Sequence, residues 1–491
     1  MDYSIFERHS DYCVMYSKET ADIMIENFIK ETMEIDELVI LLEDIYNFPY
    51  TEENILKYMK IFDFLNYKSI DMFVGVLYIK YFKQGMLLDI LYKYPVVTHF
   101  INEIMKSHKE FLTYEEMKYI TDYIDLETVI LNDTISLKEF NSCRFGNIEY
   151  FVVNSYITDE VIERFDIKTL YMEYNNIITD KSLSKQINMV YLDLGYNINI
   201  TDLSIIPMKK LECLFIDNNT NLTNISVYDK ISLKELYLGF NKNINDDGIC
   251  NLTNLEYLFI DYNTQITDKG ICNLRKVKSL VIGESTNFTD EGIYNMTSLE
   301  KLTVGNSYRI TDASIERLVN LKDINIMSGV NIGKSLQYLP KLANINIGDT
   351  QLVTDAVLLK IAGNITQLFA GDTLGVPISD KSVKKMKNLQ RLHMRANHNI
   401  NNKTLRKLHN LRFLALGWND NITNKGLKNL KKLEHLCLDK NKKITENGIA
   451  HLTSLKFLML GDNKKVKKTK HGYIMDDVSE VYAPGENVDT I

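Results

Sequence analysis

The residues best equipped for chemistry gather late in the chain. Arg391, His393 and Arg395 stand at alternate positions, followed by Phe413, Trp418 (the single tryptophan), His435, Cys437 and Asp439. Two histidines would invite a metal ion, and Cys437 beside His435 would invite a nucleophile–base pair. Neither set is complete. If these segments are stacked strands, His393 and His435 lie two strands apart, ~10 Å at the backbone, and no third ligand has matching spacing. Nothing supplies an oxyanion hole for Cys437. The sequence also lacks a phosphate-cradling glycine loop, an H-E-x-x-H and a G-x-S-x-G. The reading is non-enzymatic, with no catalytic residue, no cofactor and no metal. Tryptophan and arginine are favoured interface anchors, so the cluster reads either as a partner site or as ordinary surface variety.

A second set is spaced more tellingly. Phe215, Tyr237 and Phe259 are 22 residues apart, with Tyr257 flanking them and Tyr196, Phe240 and Tyr262 close by. Tyr171 and Asp193 precede them at the same kind of position. Aromatic rings offer large contact area and dominate binding hot spots. The same rings, held in register, would also stack on one another and stiffen whatever carries them. Both readings stand.

What carries them is a repeat. Leu211, Leu233, Leu255, Val277, Leu299 and Leu321 each open an L-x-x-L-x-[LI] stretch, 22 residues apart. The series resumes at Leu389, Leu411, Leu433 and Leu455 after looser steps at Leu342 and Ile365, and extends back through Met189, Ile167 and Ile148. About fifteen turns result, the self-similarity of a solenoid. In "LEYLFIDYN", Leu255, Leu258 and Ile260 alternate inward, whereas Tyr257, Phe259 and Asp261 face outward from a short strand. Asn263 follows, and Asn recurs at 219, 241, 397, 419, 441 and 463, where its amide can satisfy backbone groups as the chain leaves the strand. Thr267-Asp268 comes next, with either the Thr or the Asp suited to cap a helical segment, "DKGICNL", with Ile271 and Leu274 inward. The glycines at 248, 270, 292, 426 and 448 recur with the repeat and point to tight packing of each turn.

These stretches resemble the leucine-rich repeat, L-x-x-L-x-[LI]-x-x-N, over roughly residues 148–463. The resemblance implies an α/β solenoid, a horseshoe with a parallel concave sheet. The "ITD-x-G-[IL]" half also resembles the repeats of F-box and leucine-rich-repeat ubiquitin-ligase receptors. Here the repeat is shorter, and Asn stands where that subclass often has Cys.

Residues 1–140 do not repeat and read as a mainly α-helical N-terminal domain, with residues 141–463 as the solenoid and 464–491 as a C-terminal cap and tail. Helices are expected at 21–33, 35–47, 52–66 and 70–81, with a helical pair at 84–108. Thr113 and Glu116 in "TYEE" form a capping box for another. The stretch 41–67, with Ile45-Tyr46, Asn54-Ile55-Leu56 and Asp63-Phe64-Leu65, resembles the second half of a BTB/POZ domain, although only about 35 residues precede it. That resemblance implies docking to a cullin or Skp1-like ubiquitin-ligase component. A divergent F-box and an unrelated helical cap remain as alternatives.

With 57 Lys and Arg against 65 Asp and Glu, the net charge of −8 argues against broad binding to nucleic acid or an anionic membrane. No apolar run reaches the ~20 residues of a membrane helix, and "MDYSIFERHSDYC" lacks the apolar core of a secretory signal. Six scattered cysteines without a C-x-x-C pair fit a reducing, cytoplasmic setting. The expectation is an intracellular scaffold that grips a protein partner on its sheet face. It is either a ligase substrate receptor or a structural protein with no ubiquitin link.

Overall fold

The computed structural model describes residues 112–459, apart from 123–125, 173–174, 284–286, 306, 327–329, 349, 371–376, 395–396 and 439, together with the backbone of 473–475. The expected helices between 21 and 108 and the BTB-like stretch 41–67 lie outside the described residues. Two compact units divide at Tyr171/Met172.

In the first unit, a helix at Tyr114–Thr121 opens with the expected capping box: Thr113 N and Oγ1 donate to Glu116 Oε2 at 2.8 and 2.7 Å. Strands β1 (Thr128–Ile130), β2 (Tyr150–Val152) and β3 (Thr169–Tyr171) then run parallel. The parallel ladder therefore begins one turn before the boundary expected at 140–141. Leu126, Val129 and Leu131 are buried as the repeat requires, but "LETVIL" is preceded by no second copy that would have exposed the period. Phenylalanine replaces leucine in this interior: Phe140 stacks on Phe145 and Phe151, with ring centroids 4.5 and 5.7 Å apart.

The second unit repeats one strand and one short helical turn. Its strands are β4 (Tyr191–Asp193), β5 (Cys213–Phe215), β6 (Glu235–Tyr237), β7 (Tyr257–Phe259), β8 (Ser279–Gly283), β9 (Lys301–Val304), β10 (Asp323–Ile326), β11 (Asn344–Asn346), β12 (Gln367–Phe369), β13 (Arg391–His393), β14 (Phe413–Ala415), β15 (His435–Cys437), β16 (Phe457–Met459) and β17 (Tyr473–Met475). Consecutive strands pair in parallel, with the central leucines in register: Leu214 beside Leu236, and Leu236 beside Leu258. This is the leucine-rich repeat solenoid, and β17 extends it into the segment expected to cap the last turn.

The interior follows the alternation. Leu255, Leu258, Ile260, Ile271 and Leu274 are fully buried, and so are their counterparts in neighbouring turns. Each such side chain contributes roughly 1.5–3 kcal/mol, and none could be buried by one turn alone.

Two polar ladders tie the turns together. Asn241 is fully buried; its Nδ2 donates to Asn219 O (2.7 Å), and its Oδ1 accepts from Asn243 N (2.9 Å) and Ile244 N (3.0 Å). Asn263 does the same one turn on. The second ladder divides the two residues suited to the cap. Thr267 alone caps its helix, accepting from Lys269 N, while Asp268 reaches forward to accept from Thr289 N (2.8 Å) and Thr289 Oγ1 (2.6 Å). The helix is only Asp268–Ile271, shorter than "DKGICNL", because the chain must turn there to re-enter the next strand. The repeat glycine is explained by the same ladder: a Cβ at Gly270 would fall 2.6 Å from Asp246 Oδ1. Where serine stands instead, it joins in, as Ser314 Oγ does by donating to Asp290 Oδ1 at 2.6 Å.

Candidate protein-binding face

The outward positions of each strand are its first and third residues, and their side chains form the sheet face. On β4–β7 the structure brings the expected aromatics into one stack. Phe215 and Tyr237 lie face to face with centroids 3.7 Å apart and planes 13° apart; Tyr237 meets Tyr257 at 4.7 Å and Phe259 at 6.0 Å. Tyr191 extends the row, 5.4 Å from Phe215. All five rings are partly buried by their neighbours, so stacking and display coexist.

Carboxylates surround this stack. Asp193, Glu235, Asp217 and Asp261 stand at or just beyond the outward positions of β4–β7, and no Lys or Arg occupies an outward position from β4 to β8. Asp193 accepts from Gly195 N (2.9 Å) and Asp217 from Gly239 N. Gly239 is required, since a Cβ there would fall 2.6 Å from the Phe259 ring and 2.7 Å from Asp217 Oδ1. Burial raises the Asp217 carboxyl to about 7 against the opposing Gly239 N–H, and the neighbouring Asp193 charge adds to the rise. Burial, then Glu235, pushes the Cys213 thiol up, so it is no thiolate nucleophile at neutral pH. Sequence reasoning passed over Tyr191, Asp217 and Glu235. The available signal was that four successive strands, β4–β7, carry an acid at or just beyond their outward positions and no base.

Strands β12–β16 carry the second expected cluster. The Arg391 guanidinium lies over the Phe413 ring (5.0 Å), Phe369 meets His393 edge-on (5.8 Å), and His435 sits between Phe413 (6.2 Å) and Phe457 (5.8 Å). Burial lowers the His435 pKa, with Arg391 and Lys456 adding to the fall against Glu434. Arg395 and Asp439 lie outside the described residues. Trp418 is not part of this face. It sits past the end of β14 with a left-handed backbone (φ 62°), half exposed, and the Lys440 ammonium lies 4.0 Å from its ring. Phe240 and Tyr262 take the same conformation at their strand exits and stack at 4.4 Å. In the last turns the face closes: Ala415, Cys437 and Met459 are buried together, with Phe413 and Phe457 packed against them. The open part of the expected surface therefore lies towards β4–β8. Among the described residues, no three His, Cys, Asp or Glu side chains form a metal-binding group, and no helix is long and apolar enough to cross a membrane.

A leucine-rich repeat family model matches residues 230–249 and 407–431. No curated protein matches the chain in sequence. Among solved structures, an internalin from Listeria monocytogenes is similar at 23% identity and a TM-score of 0.42, over 66% of this chain and 90% of that one. Drosophila Toll in complex with Spatzle is similar at 15% and 0.45, over 63% and 45%. A plant peptide hormone receptor in complex with RGF2 is similar at 16% and 0.38, over 69% and 61%. The chain spans less than two thirds of the latter two. At these values no ligand transfers from them to this chain.

Proposed function

We propose that this leucine-rich repeat solenoid is a non-enzymatic scaffold that binds a protein partner on its sheet face, chiefly over β4–β8. The observation that carries this is the partly buried stack of Tyr191, Phe215, Tyr237, Tyr257 and Phe259, ringed by carboxylates and free of outward Lys or Arg. Aromatic area supplies hot-spot energy, and the acids select a partner that presents Lys or Arg. Arg391, His393 and Phe413 supply a second, oppositely charged contact. Affinity capture with the full chain identifies the partner. The triple substitution Phe215→Ala, Tyr237→Ala, Phe259→Ala is then expected to weaken binding by a hundredfold or more, on ~1–2 kcal/mol per anchor. It also lowers the melting temperature somewhat, because stacked pairs contribute ~0.5–1.5 kcal/mol each. Unchanged affinity in a folded variant refutes the assignment.

The finer reading makes the chain a substrate receptor of a cullin-type ubiquitin ligase in the cytoplasm. It is supported by the BTB-like residues 41–67 and by the five described cysteines, all thiols. Recovery of a cullin or Skp1-like protein with the full chain supports it, and consistent absence leaves the structural or assembly scaffold.

A further inference from the structure

The net charge of −8 conceals a steep asymmetry. Residues 380–432 contain fourteen Lys and Arg against two Asp. The helical side of these turns carries most of them, in rows that repeat with the solenoid: Lys381, Lys403 and Lys425 in one, Lys384, Arg406 and Lys428 in the next, Lys385 and Lys407 beside them. All but the partly buried Lys384 are exposed. Earlier turns neutralise their lysines across the stack, as in Lys234–Glu212, Lys278–Glu256 and Lys322–Glu300. Among the described residues, none of these eight cations has an ion pair. Stacked ~5 Å apart, like charges repel in the free protein, so the array is costly unless an anion completes it.

The surface has a shape as well as a sign. Lys384, Lys403, Arg406 and Lys407 line a recess of about 430 Å³. The one carboxylate there, Asp380, is already engaged by Asn401 and by Thr404 Oγ1. The rows expose no large apolar side chain, which argues against a protein interface, where Lys is depleted and aromatic or aliphatic anchors dominate. A recess flanked by cations takes a strand rather than the plane of a bilayer. We propose that the helical side of residues 380–432 binds the phosphate backbone of a nucleic-acid strand, without reading its sequence. The face is separate from the aromatic sheet surface, and the chain's overall acidity hid it from the sequence analysis.

The test is fluorescence anisotropy of the full chain with a 20-nucleotide single-stranded DNA and its RNA counterpart. Acidic polyglutamate and phosphatidylserine vesicles serve as alternative polyanions. Engaging about four phosphates predicts a fall in affinity on the order of 50-fold between 50 and 200 mM KCl. Replacing Lys403, Arg406 and Lys407 by Gln should reduce affinity more than tenfold and flatten the salt dependence, with the melting temperature unchanged or slightly raised, because the three are exposed and their mutual repulsion is relieved. Failure of the wild-type chain to bind either strand at 50 mM KCl overturns the proposal. So does a triple variant that binds as well as wild type, or tighter capture of polyglutamate or vesicles than of either strand.

Discussion

The Asp217 carboxyl offers the sharpest check on the sheet face. Folding lifts it from an ordinary 3.8 to about 7, chiefly by burial beside Asp193 and the aromatic stack. Fully expressed, that rise would be worth at most ~4 kcal/mol, and with the side chain partly open to water a value of about 1–3 kcal/mol is expected. The sign follows from which state holds the proton. Between pH 4 and 7 the unfolded chain has released its proton while the folded chain keeps it. Stability is therefore lost as pH rises through that window, and the cost is complete above about 7. Asp217→Asn keeps an oxygen to accept from Gly239 N and removes the charge. Urea denaturation of wild type and variant at pH 8 should show the variant more stable by that amount, and at pH 3, below the unfolded value, the two should nearly coincide. A gain of equal size at both values, or a loss at pH 8, refutes the account. If the carboxylate is kept to receive a partner's cation, the same variant binds that partner more weakly while being the more stable protein.

Other substitutions probe the frame. Asn241→Leu leaves Asn219 O, Asn243 N and Ile244 N without the amide that serves them, so a loss of about 3 kcal/mol or more is expected by urea denaturation. A loss under about 1 kcal/mol would remove the asparagine ladder from the account. Lys230 occupies the inward position held by Met208 and Leu252; its side chain is wholly buried and its ammonium donates to Asp229 (2.7 Å) and Ile206 O (3.2 Å). Burial holds its pKa down, so Lys230→Met should leave stability unchanged or raise it by up to ~2 kcal/mol. A marked loss would show the buried ion pair to be a net stabiliser.

The sequence by itself determined the solenoid. Leucines 22 residues apart with alternation inside each stretch admit one economical burial, and Leu214, Leu236 and Leu258 pair in register accordingly. It also determined that asparagine at the strand exit is structural, because an amide is the side chain able to serve both backbone donors and acceptors. Only the tertiary structure decided how neighbouring turns share polar groups. Asp268 was legible as a cap but acts on Thr289, since its partner is 21 residues away and becomes adjacent only on stacking. The same holds for the site. The aromatic row was readable from its period, whereas the departure of Trp418 from the Arg391 cluster depended on a left-handed turn that no residue type demanded. The elevated proton affinity of Asp217 and the closing of the face over Ala415, Cys437 and Met459 were likewise unreadable. Period fixes which face a side chain leaves from, but burial and charge at that face are sums over neighbouring turns, and those exist only once the chain has coiled.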